Sequence, residues 1–147
     1  MSRALVPSTL KDLGLTESIN ELVESMLRTQ LMEIQFDNAG FDEDQMPENQ
    51  KLTLFRIVQE QLNNIIKHAE AKQVWIELNN KDEIVVLQIR DDGNGFDLKK
   101  VRKGVGFVNI RNRAELFGGE AEIFSEPGKG CLLKVSFPQI IARPIIC

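Results

Sequence analysis

A chain of 147 residues with 42% hydrophobic and 27% charged side chains has the size and balance of one ordinary globular domain, long enough to bury a core. Its net charge of -4 offers no basic field to a phosphate backbone, and one Trp with no Tyr leaves few platforms for stacked bases, which argues against nucleic acid as a partner. No apolar run nears the roughly 20 residues that span a bilayer, and the single histidine excludes a zinc site or a triad built on several.

The N-terminal segment MSRALVPSTLKDLGL lacks the basic, apolar, small-residue order of a signal peptide. Ile19, Leu22, Val23, Met26 and Leu27 then recur at helical spacing, with Thr16 in place to cap that helix. Pro7 and Gly14 break any continuous helix ahead of it, so residues 1–30 read as a kinked lead-in from another domain. A strand is expected at 32–36, a polar loop at 37–50 and a long helix from 47 or 48 to 69. Alternating segments at 74–78 and 84–90 read as strands joined by a turn, 79–83. A helix at 105–116 stops at Gly118 and Gly119, and a last hairpin pairs 120–125 with 131–137 across EPGKG. Strands grouped with helices between them predict an α+β two-layer sandwich. Residues 31–140 form the domain proper and 141–147 a tail. Cys131 and Cys147 have no metal-ligand spacing and read as reduced thiols of a cytosolic protein.

Three features carry chemistry, each with two readings. Eight of the ten glycines lie between Gly93 and Gly130. Turns explain Gly118, Gly119, Gly128 and Gly130, while Gly93, Gly95, Gly104 and Gly106 fit either turns or close approach of backbone to a ligand. On the long helix, Leu54, Val58, Leu62, Ile65, Ile66 and Ala69 share the face expected to pack on the sheet. Glu60, Asn64 and Lys67 lie nearly opposite, with His68 nearer the border. That polar ladder is either a solvated face or a pair of hard oxygen ligands for Mg²⁺, with a lysine one turn on for phosphates. Finally, Val85, Leu87 and Ile89 alternate on one face, so Asp91 points to the core if the strand persists. Either the strand has ended and Asp91 opens a turn, or it is an acceptor at the mouth of an apolar pocket, suited to the amine of adenine.

In this order the segments resemble the GHKL superfamily of ATPases and kinases, most closely its histidine-kinase branch with a short ATP lid. FRIVQEQLNNIIKHA resembles the asparagine box, DDGNGF the first glycine box, GVGFVNIRNRAELFGG the second, and EPGKGCLLKVSFP the third. The lead-in LVPSTLKDLGLTESINEL resembles the junction after a paired-helix dimerisation domain. The resemblance covers about residues 5 to 138. It implies a mixed, mainly antiparallel sheet packed on about three helices, and the ATP-binding catalytic domain of a two-component sensor histidine kinase.

On that match ATP and Mg²⁺ are the implied cofactors. Asn64 becomes the Mg²⁺ ligand, with Glu60 as a second ligand or a residue orienting the acceptor. Lys67 and His68 lie beside the phosphates. Asp91 reads adenine, with Gly93 and Gly95 bending the chain around the base. Gly104, Val105, Gly106 and Phe107 stand at the phosphate side of the lid, residues 96–106. His68 lies inside the asparagine box and is not the phosphoacceptor, which the resemblance puts on a helix upstream of residue 1. The implied partners are that dimerisation domain and a response regulator, with no direct membrane contact from this segment. Other members of the superfamily leave two alternatives, a non-enzymatic nucleotide- or partner-binding module and a stand-alone ATPase. Cys131 stands where the family commonly has a threonine, and Val105 and Phe107 replace leucines of the second box. Only eight residues separate Gly95 from Gly104, too few for a long lid.

Overall fold

The computed structural model describes residues 8–29, 32–68, 70–95 and 105–139. In chain order these form α1 (Ser8–Thr29), β1 (Glu33–Asp37), α2 (Glu48–His68), β2 (Gln73–Asn79), β3 (Ile84–Asp91), α3 (Val105–Glu115), β4 (Glu120–Ser125) and β5 (Cys131–Pro138). Short 3-10 turns at Glu43–Gln45 and Lys81–Glu83 precede α2 and β3.

The strands make one five-stranded sheet in the order β1-β2-β3-β5-β4. β1 runs parallel to β2, which requires a crossover, and α2 supplies it. The other three pairings are antiparallel. Among the described residues this is the mixed, mainly antiparallel sheet packed on three helices that the family resemblance implies.

Strict alternation divides the sheet into two faces. Val74, Ile76, Leu78, Val85, Leu87, Ile89, Leu133, Val135 and Phe137 are buried on one of them. Leu15, Ile19, Val23 and Met26 of α1, Leu54, Ile57, Val58, Leu62 and Ile65 of α2, and Ile110 and Ala114 of α3 close over that face in one core. Each fully buried Leu or Ile contributes about 1.5–3 kcal/mol, so this face holds the fold together. The other face carries Trp75, Glu77, Gln88, Arg90 and Lys134, with the Arg90 guanidinium 4.3 Å from the Trp75 ring.

The α2 face is broader than the helical wheel predicts. Phe55, Ile57 and Gln61 are buried beside the expected stripe, because α1 and α3 both pack on α2 while the sheet lies beneath it. Gln50, also buried, donates from Nε2 to the Pro138 carbonyl at 3.2 Å and ties the start of α2 to the end of β5.

Two helix ends separate local from distant signals. At the end of α3, Gly118 sits at φ +76°, its N–H donates to the Glu115 carbonyl, and the Gly119 N–H donates to Ala114 at 3.0 Å. That is a Schellman cap, as the glycine pair predicts. At the kink in α1, Gly14 (φ +87°, ψ 178°) breaks the helix as expected, but Thr16 does not cap the helical segment beyond it. Thr16 is already inside that segment, and the Glu43 carboxylate accepts the N–H of Leu15 at 2.6 Å and of Thr16 at 3.1 Å.

Candidate nucleotide site

Asp91 is the last residue of β3 and still belongs to the ladder, opposite Val74 on β2 and Cys131 on β5. The strand therefore does not end before it. Its carboxylate points to the helix-covered side and is 3% exposed. One oxygen, Oδ1, accepts the Gly93 N–H at 2.8 Å, while Oδ2 has no hydrogen-bond partner among the described residues. Burial raises the carboxyl above its ordinary range, the Gly93 N–H opposes this, and neighbouring Asp92 adds to the rise. A buried acceptor left without a donor is costly, so this oxygen is suited to an N–H brought by a ligand.

Adjacent Asp92 does the opposite. Exposed, it accepts the N–H groups of Lys72 at 2.8 Å and Gln73 at 2.9 Å. The Gln73 N–H, and then the Lys72 N–H, hold its carboxyl below the ordinary aspartate range. Asp92 thus staples the end of β3 to the entry of β2, leaving Asp91 alone to face the interior. Sequence reading passes over Asp92. The doubled aspartate at a strand end is the available signal, since alternation forces two successive side chains onto opposite faces.

The end of α2 comes to the same place. The helix stops at His68, β2 begins at Gln73, and Val74 pairs with Asp91, so the last turns of α2 and Asp91 share one end of the sheet. Asn94 reinforces this edge by donating from Nδ2 to Glu70 Oε2 at 3.3 Å. Glu60 and Asn64 are half-buried and Lys67 is exposed, while Leu62 and Ile65 are buried on the other side of the helix. His68 closes α2, its side chain outside the described residues. A carboxylate and an amide oxygen one turn apart fit a hard divalent cation that takes its other ligands from phosphates and water. Among the described residues no three His, Cys, Asp or Glu side chains cluster as a metal cage.

The glycines divide as well. Gly93 holds Asp91 through its N–H. Gly95, at φ +65°, is packed so that a Cβ would run into the Glu126 carbonyl, and Gly130, at φ +74°, so that one would run into the Asp91 carbonyl. The Gly128 N–H donates to the Asn94 carbonyl, and Ser125 Oγ donates to the Gly130 carbonyl at 2.7 Å. The first glycine loop is thus locked onto the β4–β5 turn. That backbone contact requires a glycine at position 95. Gly104 lies outside the described residues, as do 96–103. Val105 and Gly106 open α3, and Phe107 is half-buried against the core.

Residues 49–141 match the family described as histidine kinase-, DNA gyrase B-, and HSP90-like ATPase. The chain is 36% identical over 135 residues to the sensor protein VraS of Staphylococcus saprophyticus, covering 91% of this chain and 38% of that protein. It is 33% identical to the sensor histidine kinase LiaS of Bacillus subtilis, covering 91% of this chain and 37% of that one. The chain therefore spans well under half the length of these relatives. Its fold is that of the histidine kinase domain of a blue-light activated histidine kinase from Erythrobacter litoralis EL346, with a TM-score of 0.71 at 16% identity over 85% of this chain and 61% of that chain.

Proposed function

Because this chain belongs to the histidine kinase-, DNA gyrase B- and HSP90-like ATPase family, we propose that it is the ATP-binding catalytic domain of a two-component sensor histidine kinase. The observation that carries this reading is the buried Asp91 carboxylate with one oxygen unpartnered among the described residues, at the same sheet end as the polar turns of α2. Relatives named as sensor histidine kinases over nine-tenths of the chain support the kinase branch.

In this reading Asp91 Oδ2 accepts from the exocyclic amine of adenine, and the buried floor around it excludes water. Asn64, with Glu60 one turn before it, would hold Mg²⁺, and Lys67 and His68 would serve the phosphates. Bound there, Mg²⁺ would neutralise charge on the phosphate oxygens as the γ-phosphoryl leaves. Gly104, Val105, Gly106 and Phe107 would border the triphosphate. The chain's contribution is positioning: few reactive side chains are needed when the nucleotide and an incoming imidazole are held in line. The bond from the γ-phosphorus to ADP breaks, one to an imidazole nitrogen forms, and that histidine lies on a dimerisation domain outside this chain. A response regulator receives the phosphoryl group next, on the cytoplasmic side.

Mixing this chain with the dimerisation domain and γ-labelled ATP tests the assignment. The expected product is Mg²⁺-dependent, acid-labile phosphate on the acceptor domain, with none on this chain alone. Label on His68, or ATP binding without any transfer, would count against it.

A further inference from the structure

Far from the nucleotide pocket, the kink in α1 is closed by a carboxylate from another part of the chain. Gly14 turns the helix, which leaves the first amides of the next segment without intrahelical acceptors. Glu43 takes two of them, from Leu15 and Thr16, and Lys51 in the first turns of α2 stands 3.5 Å from the same carboxylate. A carboxylate at a helix N-terminus also meets the positive end of its dipole. Gly14 cannot be replaced without disturbing this, since a Cβ there would collide with the Glu43 carboxylate. Ser18, buried beneath the kink, donates from Oγ to the Gly14 carbonyl at 2.7 Å.

The turn that carries Glu43 is itself anchored. Asp42 caps it by accepting the Asp44 N–H, while Asn80, at the β2–β3 connection, accepts the Asp42 N–H at 2.9 Å and donates to the Asp42 carbonyl at 2.7 Å. A continuous polar path thus runs from the sheet through Asn80, Asp42 and Glu43 to the kink. Through Lys51 the same carboxylate touches α2, whose other end carries Asn64 and Lys67. Burial alone would raise the Glu43 carboxyl, but the Leu15 and Thr16 N–H groups and the Lys51 ammonium outweigh it and hold it below the ordinary glutamate range.

We infer that Glu43 is a positioning residue, a clasp that fixes the direction in which the helical arm ahead of Gly14 leaves the nucleotide domain. The clasp follows from the geometry alone. Its consequence, control over how an acceptor joined to that arm meets the phosphate end of α2, rests on the proposed phosphotransfer.

The test uses spin labels at S8C on the arm and E77C on β2, in a C147S background, with the buried Cys131 left in place. Six residues of helix make a lever about 9 Å long, so a swing of about 30° moves its end by about 5 Å. E43A is expected to broaden or shift the label-to-label distance by several ångströms, with ATP affinity changed less than twofold. G14A adds a carbon against the same carboxylate but also strains the left-handed kink at φ +87°, so its shift counts only beside that of E43A. E43Q, which keeps an acceptor oxygen, should restore part of the native distance. In the full-length kinase, E43A should lower autophosphorylation kcat severalfold at unchanged KM for ATP. An unchanged distance distribution in folded E43A would overturn the clasp, and if E43A fails to fold, an unchanged distribution in E43Q, which keeps one acceptor for two N–H groups, overturns it. Failure of the wild-type chain to bind ATP would instead overturn the proposed function, with the label distances still reading the clasp.

Discussion

Asp91 and Cys131 face each other across β3 and β5 on the helix-covered side of the sheet, both buried. Burial, and then the Asp91 charge, push the Cys131 thiol up to about 12, although a hydrogen bond with Ser125 acts the other way. At pH 8 about one thiol in ten thousand is then ionised, and the thiolate is the reactive form. In a C147S background, Cys131 should react with a disulfide reagent only at the rate of unfolding. Labelling kinetics check this, and rapid labelling under native conditions would contradict the buried placement.

Replacing Asp91 by Asn separates stability from binding. The folded carboxyl titrates above its unfolded value, so the folded state binds that proton more tightly and loses stability as pH rises through the window between the two values. Asp91→Asn removes the loss. The variant should be more stable than wild type at pH 7, with the difference closing below about pH 3.8, the unfolded value. Chemical denaturation across this range measures it, and a destabilised variant at pH 7 would show that the carboxylate has a partner inside the fold.

Asn64→Ala should act on the metal and leave the base site alone. Affinity for ATP without Mg²⁺ is expected to stay within about twofold, while the gain on adding Mg²⁺ falls by about tenfold, the loss of one charge-assisted contact of about 1.5 kcal/mol. Calorimetric titration with and without the ion reads both numbers. An undiminished Mg²⁺ effect would remove Asn64 from the ligand set.

Gly95 and Gly128 form a matched pair, since both have positive φ but only Gly95 abuts backbone. Gly128→Ala should cost about 1 kcal/mol from the left-handed conformation alone, as nothing lies within 4 Å of the added carbon. Gly95→Ala must also push apart the 92–95 loop and the β4–β5 turn, and should cost at least about 2 kcal/mol more. Equal losses in thermal or denaturant unfolding would mean the two loops are not locked.

Local periodicity is what the sequence makes legible. The alternation of Val85, Leu87 and Ile89 carries Asp91 to the core side, and the glycine pair after α3 announces its Schellman cap. Each expected strand and helix of the domain lies within a residue or so of its predicted ends. Contacts set by the folded chain are not readable. Thr16 stands in a plausible capping position, yet the cap comes from Glu43, whose approach depends on a turn anchored by Asn80. Nothing local to Gly95 reveals that the β4–β5 turn presses against it. The broad buried face of α2, with Phe55 and Gln61, reflects neighbours on three sides, which a single-stripe wheel cannot anticipate. The lid expectation for 96–104 falls outside the described residues.

The most direct measurement compares ATP with its analogue lacking the 6-amine, purine riboside triphosphate, on the wild-type chain and on Asp91→Asn. If Asp91 Oδ2 accepts from the base, wild type should prefer ATP by about ten- to a hundredfold, the value of a hydrogen bond to a buried charged acceptor. Asp91→Asn should abolish that preference. Equal binding of both nucleotides by wild type, or an undiminished preference in the variant, would contradict the assignment of Asp91 as the base-reading group.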